Sequence, residues 1–505
     1  MPAYHAINSD AERNDGRPSS ANSSQRGSRP RSARGRKEVG MIGQASWLSS
    51  VINLVNTIVG AGVLAMPLAL SRMGILLGVI VILWAGVTAG FGLYLQTRCA
   101  RYLDRGASSF FSLSQITYPN AAVIFDAAIA IKCFGVGVSY LIIIGDLMPG
   151  VVRGFSEDAG VLGFLVDRRF WVTGFMLIVI PLSFLRRLDS LKYTSVVALI
   201  SIGYLVILVF AHFVKGDTMQ ERGPIRYAKP EGVVAVLSSL PVIVFAYTCH
   251  QNMFSILNEI GNDSHFRTTG VVVASIGAAG FLYILVAITG YMSFGNTVGG
   301  NVVAMYAPSI SSTIGKAAIV ILVMFSYPLQ VHPCRASIDA VLKWRPQIRK
   351  DSANDSPNRS NPLLHSQKTF IKPRADTMGD TRFAAITTGI IVISYICAMT
   401  ISSLEKVLAY VGSTGSTSIS FILPGLFYYK ISAPDSPHHQ KLMKEDDDEE
   451  ESDSEDEGLL GGGGLKAGPW RRKILRRLSL ALAVYGIIVM ITCLITNTLF
   501  VVAPH

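Results

Sequence analysis

Eleven long apolar blocks dominate this chain, at residues 47–70, 75–97, 121–149, 170–185, 194–214, 233–257, 268–294, 313–333, 383–402, 407–429 and 474–501. A bilayer core of about 30 Å takes about 20 helical residues at 1.5 Å each. Lipid offers no partner for a backbone N–H or C=O, so each block must satisfy its own backbone as a helix. The expected class is an all-α polytopic membrane protein with eleven transmembrane helices. Composition agrees: 50% of the 505 residues are hydrophobic and 16% charged, whereas a soluble domain carries about a quarter charged residues. A disordered or collagen-like chain is excluded, and six cysteines are too few for a disulfide scaffold.

The formal charge of +11 reads as a topology signal. With the N-terminus in the cytosol and strict alternation, most Lys and Arg fall on the cytosolic side, as the positive-inside bias requires. Nucleic acid is therefore not an expected partner. The basic, Ser- and Gly-rich residues 1–46 lack the apolar core of a signal peptide and read as a disordered cytosolic tail. Residues 346–380, and an acidic cytosolic loop at 430–473, read the same way. Within the acidic loop, Glu455, Leu459 and Leu460 fit the spacing of an acidic dileucine sorting signal, which would engage a sorting adaptor. A plain solvated linker is the alternative. Ser452 and Ser454 sit among the acids as candidate phosphorylation sites.

Two blocks are not plain helices. Residues 56–67 read NTIVGAGVLAMP, with two glycines and a proline at membrane depth; residues 245–260 read FAYTCHQNMFSILNEI, with Pro241 just before them. Glycine eases departure from helical angles and proline removes a donor. Such a break is tolerated in a membrane only where protein or ligand satisfies the freed groups. The alternative for the first is a kinked, close-packed crossing. These blocks are the first and sixth, so they open two sets of five, 47–214 and 233–429, that run in opposite directions. Block 474–501 is left as an extra helix. Interrupted helices at matching positions of inverted halves point to a transporter's midplane site. A half-helix starting near Gly62 would aim amide dipoles at a carboxylate. Freed carbonyls near 245–248 would suit an ammonium, and the ligand with both charges is an amino acid.

These two motifs, with residues 139–149 (SYLIIIGDLMP), resemble the amino acid/auxin permease family. Within it the chain is most similar to fungal vacuolar amino-acid transporters, with sodium-coupled neutral amino-acid transporters as relatives. The resemblance implies a LeuT-type fold, a 5+5 inverted repeat plus one additional helix, working by alternating access. Carried over, it implies that Gly60, Ala61 and Gly62 offer amides to the substrate carboxylate, with the Thr57 hydroxyl beside them. Phe245, Ala246 and Thr248 would offer carbonyls to the amine, and Tyr140 would reach the carboxylate. Ser326 stands where sodium-coupled relatives hold their ion, or bonds its own helix.

The coupling ion, proton or sodium, has two further candidates. His250 adjoins the second break and could exchange protons, or is simply a hydrogen-bonded structural histidine. Lys132 could serve as a titratable cation, or simply snorkel to the interface. No cofactor and no metal is expected. An enzyme is not expected either, since no nucleophile–base or metal constellation occurs in the blocks. The expected function is a proton-coupled secondary amino-acid transporter of the vacuolar membrane. Its expected substrates are neutral amino acids, then acidic ones, moved out of the vacuole. A sodium-coupled plasma-membrane symporter and an amino-acid-sensing receptor on the same scaffold are the alternatives.

Overall fold

A computed structural model describes residues 45–155, 163–186, 194–261, 264–344, 378–440 and 469–499. The N-terminal tail and the two long loops fall almost wholly outside these residues, and with them Glu455, Leu459 and Leu460. Fifteen α-helices order the described chain: α1 (Trp47–Ile58), α2 (Gly62–Met73), α3 (Ile75–Ala100), α4 (Phe110–Thr117), α5 (Ala122–Phe155), α6 (Arg168–Ser183), α7 (Thr194–Lys215), α8 (Val233–Ala246), α9 (His250–Glu259), α10 (His265–Phe294), α11 (Ile310–Lys343), α12 (Asp380–Thr400), α13 (Leu404–Val411), α14 (Leu423–Ile431) and α15 (Pro469–Leu499). Extended pairing among the described residues is limited to one isolated bridge, Ala45 to Ile260.

Among the described residues, eight helices are long and apolar enough to cross a membrane, and nine if the pair α1 and α2, bent by 58°, is one span. The expected count of eleven is thus met in part. Block 170–185 became α6, whose 16 residues reach only about 24 Å. Block 407–429 became α13 and α14 joined by two π-helical segments, Gly412–Ser416 and Ser418–Ile422. Large apolar side chains stand exposed on long helices, such as Ile80, Trp84 and Val87 on α3 and Ile488, Ile491 and Ile495 on α15. In water such a surface would promote association; in a bilayer it is the solvated face.

Local chemistry explains the boundaries that frame the interior. Ser46 caps α1 by accepting from the Ser49 amide, at 3.1 Å. The chain before α1 is pinned to the end of α9, with Ala45 N donating to Glu259 O at 2.9 Å and Gly261 N to Ala45 O at 3.0 Å. Ser309 and Ser312 form a reciprocal capping box at the start of α11. α5 and α11 then pack along one another. Their approach needs Gly137, whose Cβ would lie 3.3 Å from the Tyr327 ring, and Gly154, whose Cβ would overlap Thr313. Tyr327 and Ser394 join α11 to α12 through a 2.5 Å hydroxyl pair.

Candidate functional site

Both expected breaks exist, and they touch. α1 ends at Ile58 and α2 begins at Gly62. The Gly60 amide turns back onto Ile58 O at 3.0 Å. No acceptor among the described residues takes the amides of Ala61 and Gly62, which head α2 at its positive end. Across from them α8 stops at Ala246, residues 247–249 leave the helix, and α9 starts at His250. A Cβ on Gly62 would sit 2.6 Å from Ala246 Cβ and 2.8 Å from Ala246 Cα. Only glycine lets the two breaks meet this closely. Gly60 differs: nothing lies within 4 Å of its Cβ position.

A cavity of about 560 Å³ lies against both breaks, a size suited to a small molecule. Each surrounding helix contributes one stripe to its wall. α1 gives Asn53, Asn56 and Thr57; α9 gives Gln251, Asn252, Ser255 and Glu259. α5 gives Lys132, Val136 and Tyr140, and α11 gives Leu322, Ser326 and Gln330. α7 closes one side with Ala198 and Ile202. A small apolar recess of about 20 Å³ opens beside it, lined by Val63, Leu64, Leu205 and Ile319 and sharing Ile202, Leu322 and Val323. From the breaks the lining runs toward Asn53, Glu259 and Pro333, the side on which the chain enters α1. Beyond the breaks on the opposite side, the Arg72 guanidinium pairs with the Glu405 carboxylate and donates to Ser238 Oγ at 3.4 Å. That contact ties α2, α8 and α13 together.

All eight residues expected at a substrate site line this one cavity: Thr57, Gly60, Ala61, Gly62, Tyr140, Phe245, Ala246 and Thr248. Their hydrogen bonds refine the expectation. Thr57 Oγ1 donates to Asn53 O at 2.9 Å and accepts from Asn252 Nδ2 at 3.2 Å, linking the inner halves of both broken spans. Phe245 O already accepts from the Thr248 amide at 3.0 Å, and Ala246 O from Tyr283 at 2.7 Å. These two carbonyls are therefore not idle, although a carbonyl keeps a second lone pair. Thr248 Oγ1 donates to Val244 O at 2.8 Å and pairs with Ser420 Oγ at 3.1 Å.

The three ion-coupling candidates part company. Lys132 lines the cavity at 4% exposure, with its backbone against Gly415, so it does not snorkel to an interface. No ion pair or hydrogen bond to a described residue holds its ammonium. Ser326 lines the cavity too, but its Oγ donates to Leu322 O at 2.7 Å in the same helix. His250 is outside the cavity wall. Its ring is fully buried against α3, with Nε2 3.1 Å from Ala89 O. The position beside a break suggested contact with the pore, yet the ring turns the other way.

Six polar residues of the wall were given no site role from the sequence, namely Asn53, Asn56, Gln251, Asn252, Ser255 and Gln330, although Gln251 and Asn252 belong to the polar cluster at the second break. A signal was present. Asn53, Asn56, Thr57 and Gly60 recur on one helical face, as do Gln251 or Asn252, Ser255 and Glu259. Gln251 Oε1 is buried with no partner among the described residues, which suits a group that meets a ligand or water.

Known proteins give the same picture. Residues 43–446 match the family described as Transmembrane amino acid transporter protein. Vacuolar amino acid transporter 5 of Schizosaccharomyces pombe is 42% identical, over 90% of this chain and 95% of that protein. Vacuolar amino acid transporter 6 of Saccharomyces cerevisiae is 40% identical, over 89% and 98% respectively. Sodium-coupled neutral amino acid transporter 7 of Mus musculus is more distant, at 25% identity over 76% and 79%. The crystal structure of MhsT in complex with L-phenylalanine superposes with a TM-score of 0.57, covering 90% of this chain and all of that one at 13% identity. That likeness speaks for a shared LeuT-type fold alone. From the family match and the relatives at 40% identity and above, the chain belongs to the transmembrane amino acid transporter family.

Proposed function

We propose that this protein is a secondary amino-acid transporter of the vacuolar membrane, working by alternating access. One observation carries the reading: a cavity of small-molecule size lies against two touching helix breaks. Unclaimed amides at the head of α2 complement a carboxylate, and the 245–248 turn complements an ammonium. The names of the fungal relatives support the vacuole and amino-acid transport. The charge distribution supports a cytosolic N-terminus, and the matching breaks support two inverted sets of five spans with one additional helix.

On this topology the cavity faces the cytosol, and the Arg72–Glu405 contact closes the lumenal side. An exporter in this conformation is ready to release its cargo. The vacuole's acidity supplies a driving force for proton-linked symport toward the cytosol. Lys132 is the coupling group of this reading. A buried ammonium without a counter-ion is costly, so this position favours an anion or solvent beside it.

Among the described residues no arginine lines the cavity, which favours neutral side chains. Lys132 favours a second reading, in which the cargo is acidic and its side-chain carboxylate meets that ammonium. Uptake into proteoliposomes of labelled L-leucine, L-glutamine, L-glutamate and L-lysine, with proton and sodium gradients imposed separately, decides between them. The expected result is proton-driven accumulation of L-leucine or L-glutamine. L-glutamate alone would favour the second reading, and movement of none would end the transporter proposal.

A further inference from the structure

One buried hydroxyl stands between the two breaks. Tyr283, on α10, is 0% exposed and is not part of the cavity wall. Its phenol oxygen lies 2.7 Å from Ile58 O and 2.7 Å from Ala246 O. Those are the last carbonyls of α1 and of α8, one from each broken span. A helix end releases carbonyls that its own next turn no longer claims. Two such oxygens converging on one point repel each other unless a positive group sits between them. Here that group is a phenol with a single proton, shared by both acceptors.

The surroundings hold the phenol in place. Its ring meets the Tyr247 ring edge to face, with centroids 5.1 Å apart, and α10 packs against α1, α2 and α3. Neither break can then shift alone. Displacing the end of α1 from the end of α8 costs one of these two carbonyls the phenol's hydrogen bond.

We propose that Tyr283 is the positioning residue that couples the two helix breaks, its hydroxyl fastening the end of α1 to the end of α8 so that both rearrange together during transport. It touches no substrate in this arrangement. Its effect is on the transition between states, so its loss lowers turnover more than affinity. The inference rests on the transporter reading of the cavity.

The test uses purified full-length protein in proteoliposomes, with whichever of L-leucine, L-glutamine and L-glutamate the wild type moves fastest. Tyr283→Phe keeps the ring and removes the hydroxyl; Tyr327→Phe is the control, removing a buried hydroxyl that bonds Ser394 away from the breaks. Tyr283→Phe is expected to cut Vmax by about ten-fold or more while KM changes by less than about three-fold, with Tyr327→Phe near wild type. A Vmax for Tyr283→Phe equal to wild type overturns the proposal, and so does an equal loss from Tyr327→Phe. Hydrogen exchange on the wild type gives a second measure should Tyr283→Phe not fold. Saturating substrate is expected to change protection at residues 58–62 and 246–250 together, and a change in one segment alone contradicts the coupling. A wild type that moves none of the three amino acids is a failure of the transporter reading instead.

Discussion

Gly60 and Gly62 stand two residues apart and serve different ends. A methyl on Gly62 meets Ala246 Cβ at 2.6 Å, so the breaks must separate to admit it, whereas Gly60 faces open space. Gly62→Ala is therefore expected to lower uptake at least about ten-fold and to destabilise the fold by about 1–3 kcal/mol, the usual range for overpacking. Gly60→Ala is expected to leave thermal stability within about 1 kcal/mol, since no neighbour must move. Thermal melting in detergent beside vesicle uptake checks both. The helix break at Gly62 was legible in the sequence from the glycine pair and Pro67. Its partner Ala246 was not, because contact between residues so far apart follows from packing. His250 shows the converse failure. Its neighbours placed it beside the break, but only the position of Ala89 and α3 decides which way the ring points.

Among the elements, the two broken spans were the most legible, because glycine, proline and polar residues inside an apolar block are costly unless the helix opens there onto protein or a cavity. The tenth expected span was the least. It reads as an ordinary apolar block, yet π-helical turns fill its middle, where Gly412 lies directly beneath the Pro241 carbonyl of α8. Nothing in local propensity announces such a turn. It comes from fitting a Ser-, Thr- and Gly-rich stretch against α5 and α8 at once, with Ser413 Oγ donating to Ala409 O at 2.7 Å and Thr417 Oγ1 to Gly412 O at 2.6 Å. Gly412→Ala should force α8 away from this segment. We expect it to cost about 1–3 kcal/mol of stability, read as a lowered melting temperature, and to depress uptake of every substrate alike. A loss confined to one amino acid would mean that Gly412 acts on the cavity and not on the packing behind it.

For the protein as a body, the apolar blocks carried the class of fold, since long runs without charge have one stable home. The direction in which the cavity opens had no counterpart in the sequence; it depends on which conformation the helices adopt. Asn53, Ser255, Glu259 and Pro333 mark the open route and Arg72 with Glu405 the closed one. Five of the six native cysteines are buried and Cys397 is half-buried, so one cysteine introduced at Ser255, which is exposed, can serve as a reporter. Ser255→Cys in vesicles is to be treated from the cytosolic side with a membrane-impermeant thiol reagent, with and without the transported amino acid. Labelling that stops uptake, and that the amino acid slows, is the expected result. Full labelling with uptake untouched would contradict the cavity at the breaks as the path of transport.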